Sequence, residues 1–212
     1  MFDKKLITDI LDILPKYLED ISISEPSKII EASEALDRNL LIEEIDEETG
    51  VIVENFIRFW NKEDEYAEHL NGQSINRKPI KIYIDSPGGY LHSTLTAIDA
   101  IQLSKTPVYT INIGQAYSGG FFIFIAGHKR IAYPNSAFLF HEGSISAGGD
   151  ANKFQNQADF YKKQRGLLKK ITIEKTNINE ELYEKHEKDD WWLFAEEAKE
   201  LGIVDEIADK FI

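Results

Sequence analysis

Two glycine-rich turns constrain the fold of this chain most, because each follows an apolar segment and precedes a helical one. The turn Asp85-Ser86-Pro87-Gly88-Gly89 follows the apolar residues 80–84, and a second turn over residues 114–120 follows the apolar residues 108–113. A repeated order of strand, turn and helix is typical of parallel strands joined by right-handed crossovers. We therefore predict an α/β fold with both turns at the same edge of one parallel sheet.

The remaining pattern predicts one main domain with an appendage in front of it. A chain of 212 residues is long enough to bury one substantial core. Residues 38–212 are predicted to form this domain, and residues 1–37, interrupted by Pro15 and Pro26, a helical N-terminal extension. Asp150 is a candidate cap for a long helix that ends near residue 174. Hydrophobic periodicity predicts helices over 51–70, 90–104, 118–127, 150–174 and 195–201, and strands over 40–42, 80–84, 108–113, 131–132, 137–140 and 203–204.

Composition argues against several classes of function. The chain has 37 acidic and 24 basic residues, a formal net charge of −13, and no cysteine. Such a surface repels nucleic-acid phosphates, and a disulfide framework or a thiolate nucleophile is impossible. The five histidines are scattered without the spacing of a metal site, and no segment approaches the roughly 18 apolar residues of a membrane span. We expect a cytoplasmic protein with no nucleic-acid partner, no membrane association, and no metal or cofactor in this subunit.

Three polar residues near the predicted sheet edge are candidates for catalysis. Ser118 begins a predicted helix and could be nothing more than its N-cap. It would be a nucleophile only if a base lay beside it. His141 follows the apolar segment 137–140 and could be that base or an inert histidine. Asp190 precedes Trp191-Trp192-Leu193, so an apolar anchor could hold its carboxylate against an imidazole. The backbone N–H groups of the two glycine turns point to the same edge and could bind an oxyanion.

Four motifs in this order resemble the Clp protease proteolytic-subunit family: Ile84-Asp85-Ser86-Pro87-Gly88-Gly89, residues 113–120 around the serine, Pro134-Asn135 with His141 after them, and residues 190–205. The similarity runs from about residue 38 to residue 207. It implies a crotonase-type superhelical stack of βαβ units with a protruding handle helix over about 150–174. It also implies a nucleophile at Ser118, a base at His141, an acid at Asp190, and oxyanion donors at the N–H groups of Gly89 and Gly119.

The resemblance further implies an assembly and a substrate class. The family forms heptameric rings that stack in pairs around a chamber, where peptides or unfolded proteins are hydrolysed. ATP would then act only through a partner AAA+ unfoldase. This chain departs from the family at Tyr117, where a small residue is usual before the serine, and in residues 1–37, which replace a shorter segment that meets the unfoldase.

Three alternatives share this fold family. A crotonase would use the turn N–H groups for a thioester enolate but would have no use for Ser118 with His141. A signal-peptide peptidase pairs serine with lysine, and residues 118–121 resemble its serine turn, although that group works at membranes. The third is an inert scaffold subunit or a specialised processing subunit.

Overall fold

A computed structural model describes residues 33–141, 143 and 150–212 of the chain. Residues 1–32 of the predicted N-terminal extension (residues 1–37) and the predicted loop residues 142 and 144–149 lie outside the described part. The described elements are β1 (Asn39–Ile42), α1 (Thr49–Asn71), β2 (Ile80–Ser86), α2 (Leu91–Leu103), β3 (Val108–Tyr117), α3 (Gly119–Ala126), β4 (Lys129–Ala132), β5 (Ala137–Phe140), α4 (Ala151–Lys175), α5 (Glu180–His186), β6 (Trp191–Phe194), α6 (Ala195–Glu200) and β7 (Glu206–Ile207).

The sheet is parallel through most of its width and divides along β3. The strands β1, β2, β3, β4 and β7 are neighbours in that order. Residues 109–112 of β3 pair with β4, whereas residues 115–117 pair with β5. β5 in turn pairs with β6, which is antiparallel to it. Because β5 and β6 lie beside the carboxyl end of β3, they extend the sheet at the edge where the second glycine turn begins.

The core forms where the helices cover one face of the sheet. In β2, alternate residues Ile80, Ile82 and Ile84 are fully buried, as the two-residue period of a strand requires. α3 is apolar along its whole length and completely buried. Its aromatic side chains lock it onto β5, with ring centroids 5.6 Å apart for Phe121–Phe140 and 4.9 Å apart for Phe124–Phe138.

A buried ion pair stabilises the opposite edge of the sheet, at the amino ends of the strands. Arg38 donates to the Asp64 carboxylate of α1 at 2.6 Å, and their side chains are 12% and 3% exposed. Thr106 donates to the same carboxylate at 2.7 Å, and Arg38 also donates to the carbonyl of Lys78 at 2.8 Å. These contacts fix the residues just before β1, β2 and β3 relative to α1.

The predicted α/β class is confirmed, and so is the Asp150 cap, whose carboxylate accepts a hydrogen bond from the Lys153 N–H at 3.0 Å. The strand predicted at residues 203–204 is wrong. The N–H groups of Ile203 and Val204 both donate to the Ala198 carbonyl at the end of α6, so they are not available to a sheet. The last strand, β7, begins two residues after Val204.

Two elements are absent from the prediction, and of the strands that extend beyond their predicted bounds, β3 does so most. α5 and β6 are short elements of seven and four residues. β3 continues through Gly114 to Tyr117 because residues 115–117 find a new partner in β5. The second glycine turn is therefore confined to Ser118, the single residue between Tyr117 and the start of α3.

Candidate active site

Ser118 occupies a sharp turn between β3 and α3. Its backbone has φ +52° and ψ −118°, a conformation that residues with a side chain rarely adopt. Its N–H donates to the Leu139 carbonyl at 2.9 Å, and its carbonyl accepts from the Phe121 N–H at 3.1 Å. The hydroxyl makes no helix-capping hydrogen bond within the described residues. A strained turn from strand to helix is the geometry expected of a serine nucleophile, and helix capping does not account for the position of Ser118.

The first glycine turn is packed directly against this serine. Gly88 has φ +101°, and a Cβ atom placed on it would lie 2.6 Å from the Cβ of Ser118. A Cβ atom on Gly119 would lie 3.6 Å from the backbone nitrogen of Gly89. The two turns therefore meet backbone to backbone, and a side chain at Gly88 would separate them.

The N–H groups of Gly89 and Gly119 take no part in the strand and helix hydrogen bonds around the site. Ile45 forms an isolated parallel bridge with Gly89: its N–H donates to the Gly88 carbonyl at 3.2 Å, and its carbonyl accepts from the Tyr90 N–H at 2.8 Å. This pairing does not use the N–H of Gly89 itself. Gly119 is the first residue of α3, where an N–H has no partner within the helix. Among the described residues, these two backbone donors are thus available next to Ser118.

His141 is brought to the serine by the pairing of β3 with β5. Tyr117 is opposite Leu139 in the register, and His141 follows Leu139 by two residues. The histidine side chain is 29% exposed. Its Nε2 atom is buried and has no hydrogen-bond partner within the described part of the chain. The structure therefore places an imidazole with a free ring nitrogen beside the strand that carries the serine.

Asp190 is brought to the histidine by the pairing of β5 with β6. Phe140 is opposite Trp191, so the next positions along this antiparallel pair are His141 and Asp190. The His141 Nδ1 and Asp190 Oδ1 atoms are 3.5 Å apart, and the aspartate side chain is 61% exposed. A carboxylate on the Nδ1 side leaves the Nε2 side for a nucleophile, which is the order of groups in a serine triad.

The structure brings the five predicted site residues to one edge of the sheet, but one contact is not made. A hydrogen bond from the Ser118 hydroxyl to His141 Nε2 is not formed among the described residues. Catalytic hydrogen bonds are often long or open before substrate is bound. The roles of Ser118, His141, Asp190, Gly89 and Gly119 accordingly stay predictions.

Two contributors to the site were missed from the sequence. Ile45 holds the first glycine turn through backbone atoms alone, and nothing in its local sequence signals that contact. Trp192 of β6 packs edge-on against Tyr117, with ring centroids 5.1 Å apart and planes at 85°. The short apolar segment Trp191–Phe194 is the signal from which β6 could have been predicted. Tyr117, the residue that departs from the family pattern, thus ties the serine turn to the strand that follows Asp190.

Comparison with known proteins agrees with this geometry. The family model of the Clp protease matches residues 61–211. The chain belongs to the Clp protease family. This confirms the resemblance predicted from the four motifs and favours it over the crotonase and signal-peptide-peptidase alternatives.

A curated member of the family shows how far the similarity extends. The chain is 37% identical over 133 residues to the ATP-dependent Clp protease proteolytic subunit 2 of Treponema denticola. The alignment covers 62% of this chain and 66% of that protein, which is just under two thirds of the relative's length.

Two absences hold for residues 33–141, 143 and 150–212. Among them, no helix combines the length and the apolar character needed to cross a membrane. In the same part of the chain, no three histidine or carboxylate side chains are grouped so that they could hold a metal ion.

Proposed function

We propose that this chain is a serine endopeptidase subunit of the Clp type, with Ser118 as nucleophile, His141 as general base and Asp190 as the group that orients the histidine. One observation carries the proposal: two successive strand pairings align the strained Ser118 turn, His141 and Asp190 at a single sheet edge. Membership of the Clp protease family supports the same assignment.

The proposed chemistry is acyl transfer. The Ser118 hydroxyl attacks the carbonyl carbon of a peptide bond while His141 Nε2 takes its proton. The oxygen of the tetrahedral intermediate accepts hydrogen bonds from the N–H groups of Gly89 and Gly119. His141 then gives the proton to the leaving amine, and a water molecule, activated by the same nitrogen, releases the acyl group from Ser118.

The open contact between Ser118 and His141 fits a site that is completed on substrate binding or assembly. The Nδ1–Oδ1 distance of 3.5 Å is also longer than a strong hydrogen bond between a carboxylate and an imidazole. Both hydrogen bonds have to be in place before proton transfer.

The assembly follows from the family rather than from this chain alone. We propose heptameric rings stacked in pairs, peptides or unfolded proteins as substrates, and an AAA+ unfoldase as the partner through which ATP acts. α4 spans 25 residues and exposes Phe154, Phe160 and Leu167, as a helix that makes a contact between rings would. The proposed compartment is the cytoplasm, and the proposed subunit itself holds no cofactor.

The decisive experiment labels the nucleophile and measures turnover on the same sample. Wild-type protein is treated with a fluorophosphonate probe and assayed with a short fluorogenic peptide, while light scattering gives the size of the assembly. Ser118→Ala should abolish labelling, and His141→Ala should reduce it strongly, because the serine then lacks a base. Asp190→Asn should lower kcat by roughly 10⁴-fold.

Matched controls separate chemistry from general damage. Ser74→Ala and His69→Ala remove the same kinds of side chain from exposed positions between α1 and β2 and at the end of α1. Both should label and turn over like wild type. Labelling that survives in Ser118→Ala would refute Ser118 as the nucleophile. An unlabelled and inactive wild-type protein of ring size would refute the peptidase and leave the inert scaffold.

A further inference from the structure

Two stacked rings close the short loop that carries Asp190. The ring of His186, the last residue of α5, lies parallel to the indole of Trp191, the first residue of β6, with centroids 4.0 Å apart and planes at 17°. Between them are residues 187–190, and the Asp189 N–H donates back to the His186 carbonyl at 3.2 Å. Both ends of the loop are thus held together by the stack.

The stack is anchored in the core beside His141. Trp191 meets Phe140 edge-on, with ring centroids 6.3 Å apart, and Phe140 meets Tyr183 of α5 at 5.0 Å. Phe140 is almost fully buried and immediately precedes His141. The aromatic group therefore includes Phe140, the neighbour of His141 in the chain, and Trp191, the neighbour of Asp190.

The carboxylate of Asp190 has little else to hold it. Its side chain is 61% exposed, and within the described residues its recorded polar contact is with His141 Nδ1 at 3.5 Å. No packing holds an exposed carboxylate, so its reach toward the imidazole depends on where the backbone of its loop places the Cα–Cβ bond. The placement of this group against the imidazole accordingly depends on the backbone of residues 187–191.

We propose that His186 and Trp191 form a clasp that positions Asp190 against His141, so that both are positioning residues for the proposed peptidase. The inference rests on the proposed function of the site. Opening the clasp lets the loop move, and a displacement of about 1 Å at a catalytic group can cost on the order of 10²-fold in rate. We therefore expect His186→Ala to lower kcat by about 10- to 100-fold. KM should be unchanged, because the ring contacts that define the clasp are with each other and with Phe140, on the Asp190 side of the site.

The test uses the full chain and compares four variants with wild type. His186→Ala removes the stacked ring, His186→Phe restores a planar ring, and Asp190→Ala removes the group that is positioned. The double variant of His186→Ala with Asp190→Ala completes a mutant cycle. The readouts are kcat and KM for a fluorogenic peptide, the rate of fluorophosphonate labelling, and thermal unfolding. His69→Ala is the control for loss of a histidine.

The clasp predicts three results together. His186→Ala lowers kcat and the labelling rate, His186→Phe restores both to within about 3-fold of wild type, and His186→Ala has no further effect once Asp190 is absent. If His186→Ala does not fold, Trp191→Leu replaces it in the same cycle with the same expected results.

Other results overturn the proposal. Wild-type rates in His186→Ala, a change confined to KM, or no recovery in His186→Phe would each contradict it. So would an equal loss of rate with and without Asp190, which would indicate a purely structural role. If the wild-type protein neither labels nor turns over peptide, the proposed function fails and the clasp fails with it, whereas an active wild type with any of the other results refutes the clasp alone.

Discussion

Replacing Ser118 by glycine should remove activity and yet stabilise the fold. The serine backbone has φ +52° and ψ −118°, where a residue with a Cβ atom is strained by about 1–3 kcal/mol. Glycine relieves that strain but makes the unfolded chain more flexible, which costs about 0.5–1 kcal/mol. The difference lies between about 0 and 2.5 kcal/mol in favour of glycine, with a central value of about 1 kcal/mol. Alanine keeps the strain and loses only the hydroxyl.

The difference in unfolding free energy between Ser118→Gly and Ser118→Ala therefore reports the backbone strain at this position. Both variants should be inactive, so activity does not complicate the measurement. Chemical and thermal denaturation at equal protein concentration should show the glycine variant to be the more stable one, by about 2–4 °C in Tm for each kcal/mol in a chain of this size. At an unstrained position glycine would be the less stable variant by about 0.5–1 kcal/mol. That opposite sign would refute the strained turn.

Three more predictions test the framework around the site. Gly50→Ala should destabilise the fold by about 1–3 kcal/mol, since the new Cβ would lie 2.6 Å from the backbone of α2. Gly166→Ala should instead stabilise α4 by about 0.5–1 kcal/mol, because a Cβ there meets open space. Urea denaturation measures both changes. Asp64→Ala should cost about 3–5 kcal/mol by the same assay, because it leaves its arginine partner buried without a counter-charge. Burial raises the pKa of Asp205, but hydrogen bonds from Arg130 outweigh it and hold the pKa below 3.8. This stabilising effect is present above pH 3.8 and is lost as the pH falls through the folded-state pKa, so Asp205→Asn should differ from wild type at pH 7 and converge with it in acid.

The two glycine turns were predictable because their geometry is encoded locally. Only glycine fits where Gly88 faces Ser118, and an apolar strand precedes each turn, so residue type and order were sufficient to predict the shared sheet edge. The position of His141 was predictable for a similar reason, since it directly follows the apolar strand β5.

The partner of His141 was harder to derive from local pattern. Asp190 is one of 37 acidic residues, and its role depends on β6 turning back antiparallel against β5. A four-residue strand carries too short a pattern to show this pairing. The bridge from Ile45 to Gly89 uses backbone atoms only, so no side-chain pattern could predict it. Family resemblance supplied the aspartate where local pattern did not.

The members of the site are carried by strands that differ in stability. Ser118 follows β3, which lies in the middle of the sheet, whereas Asp190 precedes β6, which pairs with β5 alone among the described strands. A short edge strand opens locally at a lower free energy than a central one. The proposed acid is therefore the first member of the site to be displaced. Hydrogen exchange should be faster at the amides of residues 191–194 than at those of 108–113. Under denaturing conditions that open β6 but leave the core folded, fluorophosphonate labelling of Ser118 should already be slower. Equal protection of both strands would show that β6 is as firmly held as the centre of the sheet.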